Sequence, residues 1–148
     1  MKNETCRLTI LLIEDEASHA FLIRKNLRRG GFGNEIIVID SGQEAMNFLF
    51  SEGNNAGKPL PNPMLVLLDL NMPGVNGYQI LQRMKSDPST REIPIIVLTT
   101  TDDQREINKC YELGCNMYVT KPVEHQAFME AVRELGLLFC IMTPPERL

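Results

Sequence analysis

The stretch Met64-Leu65-Val66-Leu67-Leu68-Asp69 places five apolar residues ahead of one carboxylate, and Leu70-Asn71-Met72-Pro73-Gly74 follows it. A short apolar run bounded by Pro and Gly reads as a strand buried on both faces. Such a strand needs cover above and below, which an open parallel sheet receives from crossover helices. An ionised carboxylate inside that core is costly unless it is paired or metal-bound, so Asp69 is expected where the strand leaves the core and meets solvent or a cation. The competing account makes Asp69 a turn residue that merely opens Asn71-Met72-Pro73-Gly74.

A second run, Leu8-Thr9-Ile10-Leu11-Leu12-Ile13, ends in Glu14-Asp15-Glu16. Apolar segments with strand character recur at Glu35–Asp40, Pro94–Thr99 and Asn116–Thr120. Segments with helical spacing lie between and after them: Glu16–Arg29, Gly42–Ser51 with Ser41 as its cap, Gly77–Asp87, Asp102–Leu113 with Ile107, Cys110 and Tyr111 on one face, and a fifth from Val123 or Glu124 with Phe128, Val132 and Leu135 inward. Glu52 to Pro63 is rich in Gly, Asn and Pro and reads as a loop rather than a domain linker. Strands alternating with helices five times predict an α/β, doubly wound, five-stranded parallel sheet in the flavodoxin-like order 2-1-3-4-5. The chain of 148 residues reads as one domain with its core at about 8–138. Its apolar tail, 137–148, is placed after the fifth helix, and no effector domain is expected beyond it.

In such a sheet ligands bind outside the carboxyl ends of the strands. That rule gathers Glu14 and Asp15 from the first strand, Asp69 from the third, Thr99 from the fourth and Lys121 from just beyond the fifth. Three carboxylates at close range repel one another unless a cation neutralises them. Oxygen ligands without imidazole or thiolate point to Mg²⁺. A phosphate-like anion fits between the cation, the Lys121 ammonium and the Thr99 hydroxyl, with a carboxylate placed for attack on phosphorus.

The ordered set Glu14-Asp15, Asp69 with Pro73-Gly74 and Gly77, Thr99, Tyr118 and Lys121-Pro122 resembles the receiver domain of two-component response regulators, over about Leu8 to Leu138. The Pro-rich loop, the run Asp69–Pro73, Leu98-Thr99-Thr100 and Lys121-Pro122-Val123 are similar to the single-domain responders of bacterial phytochromes. The resemblance implies that Asp69 accepts a phosphoryl group from a sensor histidine kinase of phytochrome type. It implies that Glu14, Asp15 and Asp69 hold Mg²⁺ together with the Asn71 backbone carbonyl, and that Thr99 and Lys121 contact phosphoryl oxygens. It further implies that Tyr118 and Thr99 report the switch, that Lys121-Pro122 is cis, and that the chain is no enzyme except toward its own phosphorylation and dephosphorylation. Two departures stand out: Glu14 replaces the usual first Asp, and Thr100 stands where a smaller residue is frequent, narrowing access to the phosphoryl group. Of two rival classes, a haloacid-dehalogenase-like phosphatase wants a second Asp where Asn71 stands. A receiver-like binding module that is never phosphorylated is expected to lack Asp69, Lys121 or the acid pair.

Charge and composition narrow the remaining classes. Fifteen basic against nineteen acidic side chains leave a net charge of −4, unlike the basic balance of a nucleic-acid binder. No apolar run approaches the ~20 residues of a membrane span, and the first residues lack a secretory segment, so a cytoplasmic location is expected. Cys6, Cys110, Cys115 and Cys140 form no C-x-x-C pair, and His19 and His125 lie far apart, so zinc spacing is missing. The cysteines are expected as small free thiols and the histidines at the surface. The apolar run 137–142 needs burial. It is assigned either to its own domain or to a homodimer built with the face of helix four, strand five and helix five.

Overall fold

The computed structural model describes residues 8–31, 35–51, 57, 59–121 and 125–142, with side chains in the last stretch over 126–134 only. Five strands, β1 (Thr9–Ile13), β2 (Ile36–Ile39), β3 (Met64–Asp69), β4 (Ile95–Thr99) and β5 (Met117–Thr120), alternate with five helices. The helices are α1 (Ala17–Arg29), α2 (Gly42–Leu49), α3 (Gly77–Ser86), α4 (Gln104–Glu112) and α5 (His125–Met142). All strand pairs are parallel, in the order β2-β1-β3-β4-β5. The doubly wound, flavodoxin-like order expected from the sequence is the one observed.

Alternation along each strand builds two cores from one sheet. Leu11, Ile13, Val66, Leu68, Ile95 and Val97 pack with Ala45 and Leu49 of α2, Ile80, Leu81 and Met84 of α3, and Cys110 of α4. Ile10, Leu12, Leu65, Leu67, Ile96 and Leu98 pack with Ala20, Ile23 and Leu27 of α1 and Phe128, Met129, Ala131 and Val132 of α5. Every residue of β1, β3 and β4 is buried, which is why those runs carry no polar alternation.

Helix boundaries follow local chemistry. Ser41 Oγ accepts the Glu44 N–H at 3.1 Å and starts α2. Asn76 and Gln79 close a reciprocal capping box at the start of α3. Gly114, at φ 108°, follows α4 in the left-handed conformation that ends it.

Two expectations change. The apolar run 137–142 is not a tail after the fifth helix but its last turns, because α5 continues to Met142. No Pro or Gly interrupts that run, and its Leu and Met residues extend a helix readily. Tyr111 does not join the buried face of α4; it is 47% exposed, and only Cys110 of that helix is fully buried. Thr100, next to Thr99 at the end of β4, is exposed. The Lys121-Pro122 bond, Cys6, the tail beyond residue 142, and the side chains of His125, Leu135 and Cys140 lie outside what is described. Among the described residues, no helix is long and apolar enough to cross a membrane.

Candidate functional site

Strand register alone brings the acidic positions together. Ile13 pairs with Leu68, so Glu14 leaves β1 beside Asp69, and Asp69 pairs with Leu98 while Thr99 pairs with Thr120, one step before Lys121. By alternation Asp69 belongs to the face of Leu65 and Leu67, the side covered by α1 and α5. Glu14, Asp15 and Asp69 each place a carboxylate oxygen within 4.8 Å of the other two. Asp69 is 4% exposed, buried rather than emerging into solvent as a turn residue would.

The loop after β3 holds Asp69 through its backbone. Asn71 N–H donates to Asp69 Oδ1 at 3.3 Å, and the Leu70 carbonyl accepts from both Met72 N–H (3.2 Å) and Gly77 N–H (3.1 Å). Gly77 lies so close to this turn that a Cβ would stand 2.5 Å from the Asp69 carbonyl oxygen and 2.6 Å from Leu70 Cα. Only glycine lets α3 start against the Asp69–Leu70 backbone.

Lys121 closes the site from β5. Its ammonium donates to Glu14 Oε1 at 2.5 Å and stands 3.7 Å from Asp69 Oδ1, with only 8% of its side chain exposed. Its backbone N–H donates to the Thr99 carbonyl at 2.7 Å, tying the end of β5 to the end of β4. Glu14, fully buried, gives Oε1 to Lys121 and accepts the Glu16 N–H on Oε2 at 3.1 Å. Burial, then the charge of Glu14, raises the Asp69 pKa from its ordinary 3.8 to about 6, against the lowering pull of Lys121 and the Asn71 N–H. Asp15 Oδ1 is buried without a hydrogen-bond partner. A buried, unpartnered carboxylate oxygen among two more carboxylates is a donor set that suits a hard divalent cation.

Thr99 is fully buried, and its hydroxyl accepts from Asn71 Nδ2 at 3.1 Å and from Thr101 N–H at 3.4 Å. Tyr118 is half-buried and donates its hydroxyl to the Thr101 carbonyl at 2.8 Å, on the loop that follows Thr99. Burial raises the phenol pKa to about 12. Glu14, Asp15, Asp69 and Lys121 therefore meet, Thr99 is tied to the Asp69 loop through the Asn71 side chain, and Tyr118 is bonded one loop away.

Three contacts were not foreseen. His19, expected as a surface histidine, puts Nδ1 3.1 Å from the Lys121 ammonium. Its place in the first turn of α1, just past Glu14-Asp15 at the ligand edge of the sheet, is the signal that marks it. The Asn71 side chain reaches Thr99, and Tyr111 Oη accepts the Tyr118 N–H at 3.1 Å. Neither pairing has a trace in local spacing, since each joins separate segments.

A family model of the response regulator receiver domain matches residues 10–133. Response regulator Rcp1 of Synechocystis sp. is 38% identical over 112 residues, 76% of this chain and 75% of that protein. A response regulator receiver domain from Rhodospirillum rubrum superimposes with TM-score 0.74 at 50% identity, covering 93% of this chain and 97% of the other. The phosphorylated cyanobacterial phytochrome response regulator RcpA does so with TM-score 0.75 at 31% identity, covering 94% and 98%. Rcp1 has also been solved in a Mn(2+)-bound form. The match over residues 10–133, on a sheet whose strand ends gather two acids, an aspartate, a threonine and a lysine, shows that the chain belongs to the response regulator receiver domains of two-component signalling.

Proposed function

We propose that Asp69 is the phosphoacceptor of this receiver and takes its phosphoryl group from the phosphohistidine of a sensor kinase. One observation carries the reading. Asp69 is a buried carboxylate at the meeting point of Glu14, Asp15 and Lys121. Its pKa of about 6 leaves it ionised, and so nucleophilic, at neutral pH. A carboxylate oxygen forms a bond to phosphorus while the bond from phosphorus to the histidine nitrogen breaks. The departing imidazole takes up a proton from solvent.

Glu14, Asp15, Asp69 and the Asn71 carbonyl are the groups that would hold Mg²⁺, in keeping with the orphaned Asp15 Oδ1. Bound there, Mg²⁺ would neutralise the acidic cluster and withdraw charge from phosphoryl oxygens. Lys121 supplies a compact positive charge on the side of Asp69 that faces β5, and the Thr99 hydroxyl has a proton to give because its present contacts use only its lone pairs. A dianion on Asp69 that accepts this proton draws the Thr99 hydroxyl toward itself, away from the Asn71 amide and the Thr101 N–H, and thereby loosens the loop that carries the Thr101 carbonyl. Tyr118, bonded to that carbonyl, is the residue that passes the change to β5 and α4.

The likeness to RcpA, a phytochrome response regulator, favours a phytochrome-type kinase as the cytoplasmic partner. Output is read by a protein partner or a second copy at the face of α4 and β5 that Tyr118 and Tyr111 join. Incubation with a small phosphodonor and Mg²⁺, read by intact-protein mass, is expected to add one phosphoryl group to the native chain and none to Asp69→Asn. Equal addition to both chains refutes the assignment. Phosphotransfer profiling against the histidine kinases of the same cell then identifies the kinase.

A further inference from the structure

We propose that His19 is a positioning residue for Lys121, a neutral acceptor that keeps the ammonium aimed at the Asp69 side of the site. This rests on the reading of Asp69 as phosphoacceptor. The Lys121 ammonium has three protons and no lone pair, so His19 Nδ1 at 3.1 Å can only accept from it. That contact requires the imidazole proton to sit on Nε2. Nδ1 is 3.6 Å from Glu14 Oε2, beyond hydrogen-bond reach, and Oε2 already takes the Glu16 N–H. His19 is therefore engaged with the lysine and not with the glutamate.

Glu14 and His19 both stand on the β1–α1 side, and together they occupy two of the three ammonium protons. The third is left for the side of Asp69, 3.7 Å away, where a phosphoryl oxygen is to be met. Glu14 is also one of the carboxylates assigned to the cation, so its hold on Lys121 is shared. A neutral nitrogen does not enter that competition. His19 thus limits the ammonium to one orientation at the site, and its hydrogen bond makes Lys121 pre-aimed rather than free to swing.

Beryllofluoride, a phosphoryl mimic, titrated with Mg²⁺ into the full chain reads anion affinity directly. His19→Leu is expected to weaken binding about fivefold, as for one hydrogen bond to a charged group at a half-exposed position. His19→Asn, whose side-chain oxygen falls at the place of Nδ1, is expected to restore affinity to within about twofold. A second readout needs no loaded site: nitrogen-labelled lysine in Mg²⁺-free protein shows whether the Lys121 ammonium protons are held. They exchange slowly in the native and His19→Asn chains and fast in His19→Leu. The proposal is overturned if Leu and Asn bind beryllofluoride alike, or if His19→Leu leaves both readouts unchanged. Asp69→Asn and Lys121→Met guard the underlying reading. If either binds beryllofluoride as tightly as the native chain, that reading itself fails, whatever the His19 variants do.

Discussion

Replacing Asp69 by Asn is expected to abolish phosphorylation and yet make the metal-free fold more stable. The native carboxyl is raised from 3.8 to about 6 by burial and by the charge of Glu14. At about 1.4 kcal/mol per pKa unit, ionising it in the folded chain costs about 3 kcal/mol more than in the unfolded chain. An amide removes that cost while its oxygen still accepts the Asn71 N–H, now at 3.3 Å. That cost is already net of the attraction to Lys121 across 3.7 Å, but the amide brings an NH2 group that needs its own partner in the buried site, so the net gain is set lower, at about 1–2 kcal/mol. In a domain of this size that raises Tm by about 3–6 °C. The dependence on pH has a definite sign. Between pH 3.8 and about 6 the folded native chain binds more protons than the unfolded one, so its stability falls as pH rises through that window. The advantage of Asp69→Asn should therefore be absent near pH 4, grow across the window and be complete above it. Urea unfolding with EDTA at pH 4 and 7.5 measures this, and repeating it with Mg²⁺ should stabilise the native chain more than the variant. A variant less stable than the native chain at pH 7.5, or a gain equal at both pH values, would refute the reasoning.

Gly77→Ala sets a methyl against the Asp69 carbonyl and Leu70 Cα, and should destabilise the fold by about 2 kcal/mol and slow phosphorylation, both visible by thermal melting and donor labelling. Thr99→Val keeps the volume but strands Asn71 Nδ2 and removes the hydroxyl; phosphorylation should slow about tenfold or more with little change in shape, and an unaltered rate would exclude Thr99 from the reaction. Burial pushes the Cys115 thiol up to about 12 and raises that of Cys110, so Ellman's reagent at pH 8 should leave both untouched until denaturant is added. If β5 and α4 form a phosphorylation-dependent dimer face, sedimentation of the native chain with beryllofluoride and Mg²⁺ should show a heavier species than Tyr118→Ala under the same conditions; identical profiles would remove Tyr118 from the coupling.

What the sequence determined by itself is whatever depends on period and position along the chain. Ile10–Ile13, Met64–Leu68 and Ile95–Leu98 are apolar without alternation because both sheet faces are covered, and that one property prescribed helices on both sides and parallel strands. Strand ends then had to carry the polar residues, so Glu14, Asp15, Asp69, Thr99 and Lys121 were legible as one set before any distance was known. Helix five ended early in that reading because an apolar hexamer resembles a separate segment, whereas α5 simply extends through it. Tertiary structure alone decided which polar atoms meet. His19 reaches Lys121 across 102 positions, Asn71 reaches Thr99 across 28, and Tyr118 reaches Thr101 across 17. Hydrogen bonds of that kind have no periodic trace, since they depend on strand register and on the pitch of each helix over the sheet rather than on neighbouring residues. The buried oxygen of Asp15 and the raised pKa of Asp69 belong to the same class, because desolvation is a property of everything packed around a group and not of the group's place in the chain.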